Sequence, residues 1–184
     1  EIYPKLACAY HNRGLAYAAK GDHDRAIADY TKLIEINPKS SRFALWLGLA
    51  RYNNGDFKGA ATDLLRAVEL EDDVYAMLFR YLARTRAGAT AEAELEANAG
   101  RLKTKEWPYA VIELYLGKRS PAATLDAAVK PDDRCKAQFY IGQWHVLKGN
   151  VADAQTALTV AVETCPKTFS EYVTAVAELK RLKP

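Results

Sequence analysis

Residues 7–40 read ACAYHNRGLAYAAKGDHDRAIADYTKLIEINPKS, and residues 41–74 read SRFALWLGLARYNNGDFKGAATDLLRAVELEDDV. Laid over each other with a shift of 34 residues, Gly14 falls on Gly48, Ala16 on Ala50 and Gly21-Asp22 on Gly55-Asp56. Ala26 falls on Ala60, and Asp29 on Asp63. The first segment predicts a helix from about Leu6 to Lys20 and a second from about Asp24 to Ile36. Gly21 suits a left-handed residue at the end of the first helix, and Asp22 or Asp24 suits a cap for the second. Small residues at Gly14 and Ala26 are expected where the two helices cross. Tyr10, Tyr17, Tyr30 and Leu33 fill the space between them, each contributing about 1.5–3 kcal/mol by burial.

The second segment keeps Gly48, Ala50, Gly55-Asp56-Phe57, Ala60, Leu64 and Ala67. From Val74 to about Glu106 the pattern degenerates. Gly88 and Ala93 hold register, but Tyr81 takes the small-residue crossing, where a bulky side chain should change the helix packing. A shortened pair follows. Trp107-Pro108 opens one helix, with proline at its first position, that stops at Gly117; Ser120-Pro121 caps and starts another that ends near Val129. Lys130-Pro131-Asp132-Asp133 reads as a linker. From Cys135, Gly142, Gly149-Asn150, Ala154, Leu158, Ala161 and Pro166 return at the repeat positions, and Phe169 to about Leu182 reads as a last, covering helix.

A 34-residue period of helix–turn–helix units resembles a tetratricopeptide (TPR) array, whose units cannot bury their apolar faces alone and stack into a solenoid. The expected fold is all-α: a right-handed superhelix of antiparallel helix pairs with a C-terminal capping helix. It is read as one domain, 1–184, with repeats at about 7–40, 41–74, a degenerate 74–106, the short pair 107–130, a repeat at 135–168 and the capping helix at 169–182. Pro4 lies 34 residues before Pro38. Glu1 to Lys5 therefore read as the tail of a preceding repeat or leader, with any targeting signal expected upstream.

Apolar residues make up 49% of the chain and charged residues 27%, which is a globular balance. A net charge of +3, with basic residues scattered among acidic ones, argues against nucleic acid as a partner. The small basic cluster of Arg101, Lys103 and Lys105 is either a solvated loop or a phosphate site. No stretch approaches 18 uninterrupted apolar residues, so no segment of this chain is expected to insert directly into a membrane.

The C-terminal half carries a narrower likeness. It rests on Trp107…Ile112-Glu-Leu-Tyr-Leu-Gly117…Ser120, Cys135…Phe139-Tyr140-Ile141-Gly142-Gln143, Leu147-Lys-Gly149, Ala161-Val162, and Phe169…Glu171-Tyr172…Glu178-Leu179. These strings resemble the NlpI-type TPR lipoproteins of Gram-negative bacteria, over roughly Arg42 to Leu182. The resemblance implies a helical, lipid-anchored and often dimeric periplasmic adaptor that brings cell-envelope hydrolases to a processing protease. The lipobox cysteine and leader of that family are not in this sequence. Localisation is accordingly expected in the periplasm or cell envelope, with the cytoplasm as the alternative.

Cys135 and Cys165 fall at the start of one helix and the exit of the next, adjacent ends of an antiparallel hairpin. A disulfide there is geometrically reasonable, would stabilise by about 3–4 kcal/mol in the chain-entropy model, and would indicate an oxidising compartment. The alternative is two separate buried thiols. Cys8 reads as a small packed residue. No catalytic constellation assembles: His11, His23 and His145 sit on different units, there is no paired metal-ligand spacing and no Gly-rich phosphate loop, and no metal or cofactor is expected. Glu71-Asp72-Asp73 and Asp132-Asp133 read as inter-helix turns with capping carboxylates.

In a TPR stack, positions 2, 5, 9, 12 and 13 of each first helix line the concave face. Here they include His11, Leu15, Arg42, Leu45, Leu49, Tyr52 and Asn53, followed by Tyr75, Leu78, Leu82, Arg86, Lys136, Phe139 and Gln143. Leucines and aromatics ringed by Arg, Lys and Asn suit an extended or helical peptide. Several could instead be covered by neighbouring helices or by a second copy in a homodimer. Chaperone-tail TPR domains place Lys and Asn at positions 5 and 9 of the first unit; His11 and Leu15 stand there, so that carboxylate clamp is not expected. Two functions remain: a non-catalytic adaptor for peptide segments of partner proteins, envelope hydrolases or proteases among them, or a structural module that oligomerises through the same face.

Overall fold

Turn residues recur at regular intervals, and the chain answers with short antiparallel helices. The computed structural model describes residues 2–183, with side chains over 5–183. Among the described residues there are eleven α-helices and no strand. The chain divides into two compact units, Glu1–Ala87 and Gly88–Pro184. The division falls inside the third repeat, in the turn that Gly88 makes.

The first unit contains α1 (Ile2–Ala19), α2 (His23–Ile36), α3 (Ser41–Asn54), α4 (Phe57–Leu70) and α5 (Val74–Arg86), each packed on the next. Every helix after α1 begins at a side-chain cap. Asp22, Ser40, Asp56 and Asp73 accept from the backbone N–H of Arg25, Phe43, Gly59 and Ala76. Each satisfies a donor that the helix cannot, worth about 0.5–2 kcal/mol. Helix α3 ends at Gly55, whose φ of 86° is left-handed and closed to most side chains.

The expected crossings are present. A Cβ built on Gly14 would lie 2.6 Å from the Tyr30 ring, and one on Gly48 would lie 2.7 Å from Leu64 Cγ. Helix backbones approach this closely only where no side chain intervenes. Ala26, Tyr30, Leu33, Leu47 and Ala50 form one buried cluster, with Tyr10, Tyr17, Phe43 and Trp46 packed around it. Asp29 and Asp63, equivalent by the 34-residue shift, are both held by arginines, but from different places. Arg13 donates through two nitrogens to Asp29 at 2.7 and 2.8 Å, whereas Arg51 donates to Asp63 at 2.8 Å. The repeat preserves the acid, and the local sequence supplies whichever cation is in reach.

The second unit contains α6 (Glu92–Ala99), α7 (Tyr109–Tyr115), α8 (Pro121–Ala127), α9 (Pro131–Leu147), α10 (Val151–Thr164) and α11 (Ser170–Arg181). Its centre is α9, which packs against α7, α8, α10 and α11. Tyr115 Oη donates to the Tyr140 carbonyl at 3.1 Å, and Tyr140 Oη donates to Glu171 at 3.4 Å, so α7, α9 and α11 are joined by a buried relay. The α9–α10 crossing repeats that of the first unit: a Cβ on Gly142 would meet Leu158 Cγ at 2.7 Å.

Three boundaries differ from the sequence reading. Lys130-Pro131-Asp132-Asp133 is not a linker but the start of α9, with Pro131 at its first turn and two carboxylates at the positive end of the helix dipole. Pro108 stands just before α7, not at its first position, and follows a cis Trp107–Pro108 bond. Helix α1 begins at Ile2, so Pro4 lies in the first turn of a helix, where a missing N–H leaves no bond unmade, and not in a repeat-ending turn. Glu1 lies outside the described residues.

Candidate functional site

In the first unit α1, α3 and α5 are the first helices of their repeats, and their outward residues form the candidate face. Gly14 and Gly48 face α2 and α4, and His11, Leu15, Arg42, Leu45 and Leu49 stand about 60–120° round the helices from those glycines, flanking the crossings. Leu15 is 42% exposed and Arg42 is exposed, while His11, Leu45 and Leu49 are half-buried.

The centre of this face is a residue that the positional reading passed over. Trp46 stacks on His11 with ring centroids 3.7 Å apart and planes 20° from parallel, and it bridges α1 to α3. Phe43 lies 5.6 Å and Tyr30 6.1 Å from the same indole. The available signal was that Leu45 is in register with His11 by the 34-residue shift and a tryptophan follows it directly. Burial under Trp46 lowers the His11 pKa from its ordinary value, and the nearby Arg42 charge adds to the effect, so the imidazole is neutral at pH 7. The face therefore offers a neutral aromatic floor, leucine walls and one solvent-facing cation.

Beside Arg42 and Leu45 is a cleft of about 90 Å³, bounded also by Ser41, Glu71, Asp73 and Ala76. Ser41 Oγ donates to Glu71 at 2.5 Å, and Asp73 caps α5 through the Ala76 N–H at 2.8 Å. Its carboxylates are thus engaged in holding helix ends, as the turn reading expects, and the cleft has room for a few waters or one small side chain.

The remaining sequence-nominated residues are distributed differently. Tyr52 is fully buried, edge-on to Phe57 at 5.2 Å and to Phe79 at 6.0 Å, and so belongs to the core. Asn53, Leu78 and Leu82 are also buried. Tyr75 is half-buried on α5, and Arg86 lies over the Phe57 ring at 4.5 Å.

In the second unit Phe139 and Gln143 are fully buried, and α9 carries α7 and α8 against it in addition to α10 and α11. Lys136 lies over the Phe169 ring at 4.9 Å. Of the nominated residues, Leu15 on α1 and Arg42 on α3 are the exposed ones.

Cys135 and Cys165 are joined in a disulfide with their Cα atoms 5.1 Å apart, clamping the start of α9 to the exit of α10. Cys8 is exposed on α1. Among the described residues no group of three or more His, Cys, Asp or Glu is placed to hold a metal, and no helix is long and apolar enough to cross a membrane. His145 instead packs edge-on to Trp144 with its Nδ1 3.8 Å from Asp153. Residues 11–74, running from within α1 to the start of α5, match the family model of the tetratricopeptide repeat.

Proposed function

We propose that this chain is a non-catalytic protein–protein interaction scaffold whose first unit binds a peptide segment of a partner protein across α1 and α3. Tetratricopeptide repeats generally mediate protein–protein interaction, and an all-helical array of this kind typically scaffolds without catalysing. The observation that carries the reading is the Trp46–His11 floor between Leu15, Leu45 and Leu49, with Arg42 at its edge. An apolar anchor on the peptide would cover the indole and leucines, and a neighbouring carboxylate would meet Arg42. The NlpI-type resemblance supports a periplasmic or envelope setting, with hydrolases or a protease as partners. A disulfide between Cys135 and Cys165 suits an oxidising compartment.

The competing reading is self-association, favoured by α1, which keeps Leu6 at 40% and Leu15 at 42% exposure along with Cys8. Capture from periplasmic extract, compared between the wild-type chain and Leu45→Glu/Leu49→Glu and paired with light scattering, separates the two. Specific capture lost in the double variant, at unchanged helicity, supports the adaptor. A tight homodimer that captures nothing, or capture indifferent to both substitutions, overturns it.

A further inference from the structure

The floor of the α1/α3 face contains a titratable ring. His11 reaches from α1 onto the Trp46 indole of α3, with ring centroids 3.7 Å apart and planes 20° from parallel. The imidazole is therefore part of the surface that a bound side chain would cover. Phe43 lies 5.6 Å from the same indole and Tyr30, from α2, lies 6.1 Å from it, which hold the indole in place beneath His11.

The charge that acts on this ring is positive. Arg42, exposed on α3, is near enough to disfavour protonation of the imidazole, and burial in the stack disfavours it further. The carboxylates in the neighbourhood are engaged elsewhere. Asp29 of α2 accepts both donors of Arg13, Glu71 accepts from Ser41, and Asp73 caps α5. Tyr30 is neutral, because burial pushes its hydroxyl above the ordinary range, and Cys8 stands one turn before His11 on α1. The ring is thus neutral at pH 7 and charges on acidification. Once charged, it is attracted by the indole face, so it stays in the floor and brings its charge with it.

The effect on binding depends on what flanks the peptide's anchor. An apolar side chain laid over the neutral ring buries no charge, whereas laid over the imidazolium it covers a cation with no counter-charge. An acidic group beside the anchor supplies that counter-charge to His11 and Arg42 together. A neutral peptide holds the His11 midpoint below that of the free protein, so its affinity falls as pH falls below about 6.5. An anionic peptide offsets that shift and keeps its affinity over the same range.

We propose that His11 is a proton-operated specificity residue of the α1/α3 face: neutral, it admits any peptide with an apolar anchor, and charged, it restricts the face to anchors flanked by an acidic group. This regulation rests on the reading of that face as a peptide site.

The test is fluorescence anisotropy on the full chain with two rhodamine-labelled peptides, each with leucine anchors. Beside the anchor one carries cysteic acid, whose sulfonate stays ionised throughout, and the other carries asparagine. The cysteic-acid peptide should be preferred at about pH 7.5, and the preference should grow at least about fivefold at about pH 5. His11→Phe, which keeps a ring on Trp46, should abolish the growth. Arg42→Gln should lower the preference at both pH values and leave the growth in place. By NMR, the wild-type His11 midpoint should be higher in the cysteic-acid complex than in the asparagine complex, a readout that does not depend on any variant folding. A preference that acidification leaves unchanged, growth that persists in His11→Phe, or equal His11 midpoints in the two complexes overturns the proposal and leaves the peptide site standing. Binding of neither peptide, or binding that Leu45→Glu/Leu49→Glu does not weaken, overturns the peptide site and the proposal with it.

Discussion

Replacing Gly48 by alanine sets two effects of known size against each other. In an exposed helix interior, Gly→Ala stabilises by about 1 kcal/mol through reduced backbone freedom. At Gly48 the new methyl would stand 2.7 Å from Leu64 Cγ and 3.0 Å from Cδ2, with the Ala60 carbonyl at 3.4 Å. Leu64 is fully buried, and its Cγ is a branch point held by the rest of the core, so the side chain cannot swing clear. Overpacking of this kind costs about 1–3 kcal/mol, enough to reverse the propensity gain. Gly48→Ala should therefore destabilise the first unit by up to about 2 kcal/mol. Leu64→Ala alone should cost about 2–5 kcal/mol. In the Leu64→Ala background the clash is gone, and Gly48→Ala should turn stabilising, giving a coupling energy of about 2 kcal/mol. Urea unfolding followed by Trp46 fluorescence, in a Trp107→Phe/Trp144→Phe background, reports on the first unit alone. A stabilising Gly48→Ala with no coupling to Leu64 would refute the close crossing.

Other outcomes follow from the same contacts. Reducing the Cys135–Cys165 bond, which spans a separation of 30 residues, should destabilise the second unit by about 3–4 kcal/mol. Urea midpoints followed by Trp144 with and without reductant measure this, and alkylation mass before reduction should label Cys8 alone. The lowered His11 pKa makes the first unit's stability pH-dependent: its contribution is complete above the unfolded-state value of about 6.5 and is lost as pH falls through the lower folded-state value. An NMR titration of His11 should show the lowered midpoint and its partial recovery in Arg42→Gln; a midpoint at or above 6.5 contradicts the burial under Trp46. Tyr52→Ala should cost about 3–5 kcal/mol as a core deletion, whereas Leu49→Ala should cost much less and act on peptide capture instead. Thermal unfolding of the two variants ranks them.

The 34-residue pattern fixes local events, and these are legible because they depend on a few residues in fixed order. Gly55 stands at a helix end where a positive φ favours glycine, Asp56 and Asp73 stand one residue before a helix and cap it, and Gly48 marks a crossing because a larger residue would press on Leu64. The C-terminal hairpin could likewise be paired through Cys135 and Cys165 by counting positions. Even here a proline with two aspartates, Pro131 to Asp133, suits a linker and a helix start alike, and only the hydrogen-bonded turn distinguishes them.

Exposure does not follow from repeat position. Leu49 and Tyr52 are equally good candidates for one face by count, yet Tyr52 is drawn into the core by Phe57 and Phe79 while Leu49 stays at the surface. Phe139 and Gln143 hold face positions too and are buried, where the irregular helices α7 and α8 pack against α9 as well as α10 and α11. Trp46 lies outside the expected positions and forms the centre of the site, since its indole reaches across to His11 of another helix. The sequence by itself determined the helix ends and crossings that a glycine, a capping side chain or a repeat position marks, since those are short-range steric and hydrogen-bonding requirements, but not the starts of α1, α7 and α9. Only the tertiary structure decided which residues face solvent, because burial is set by neighbours distant in the chain.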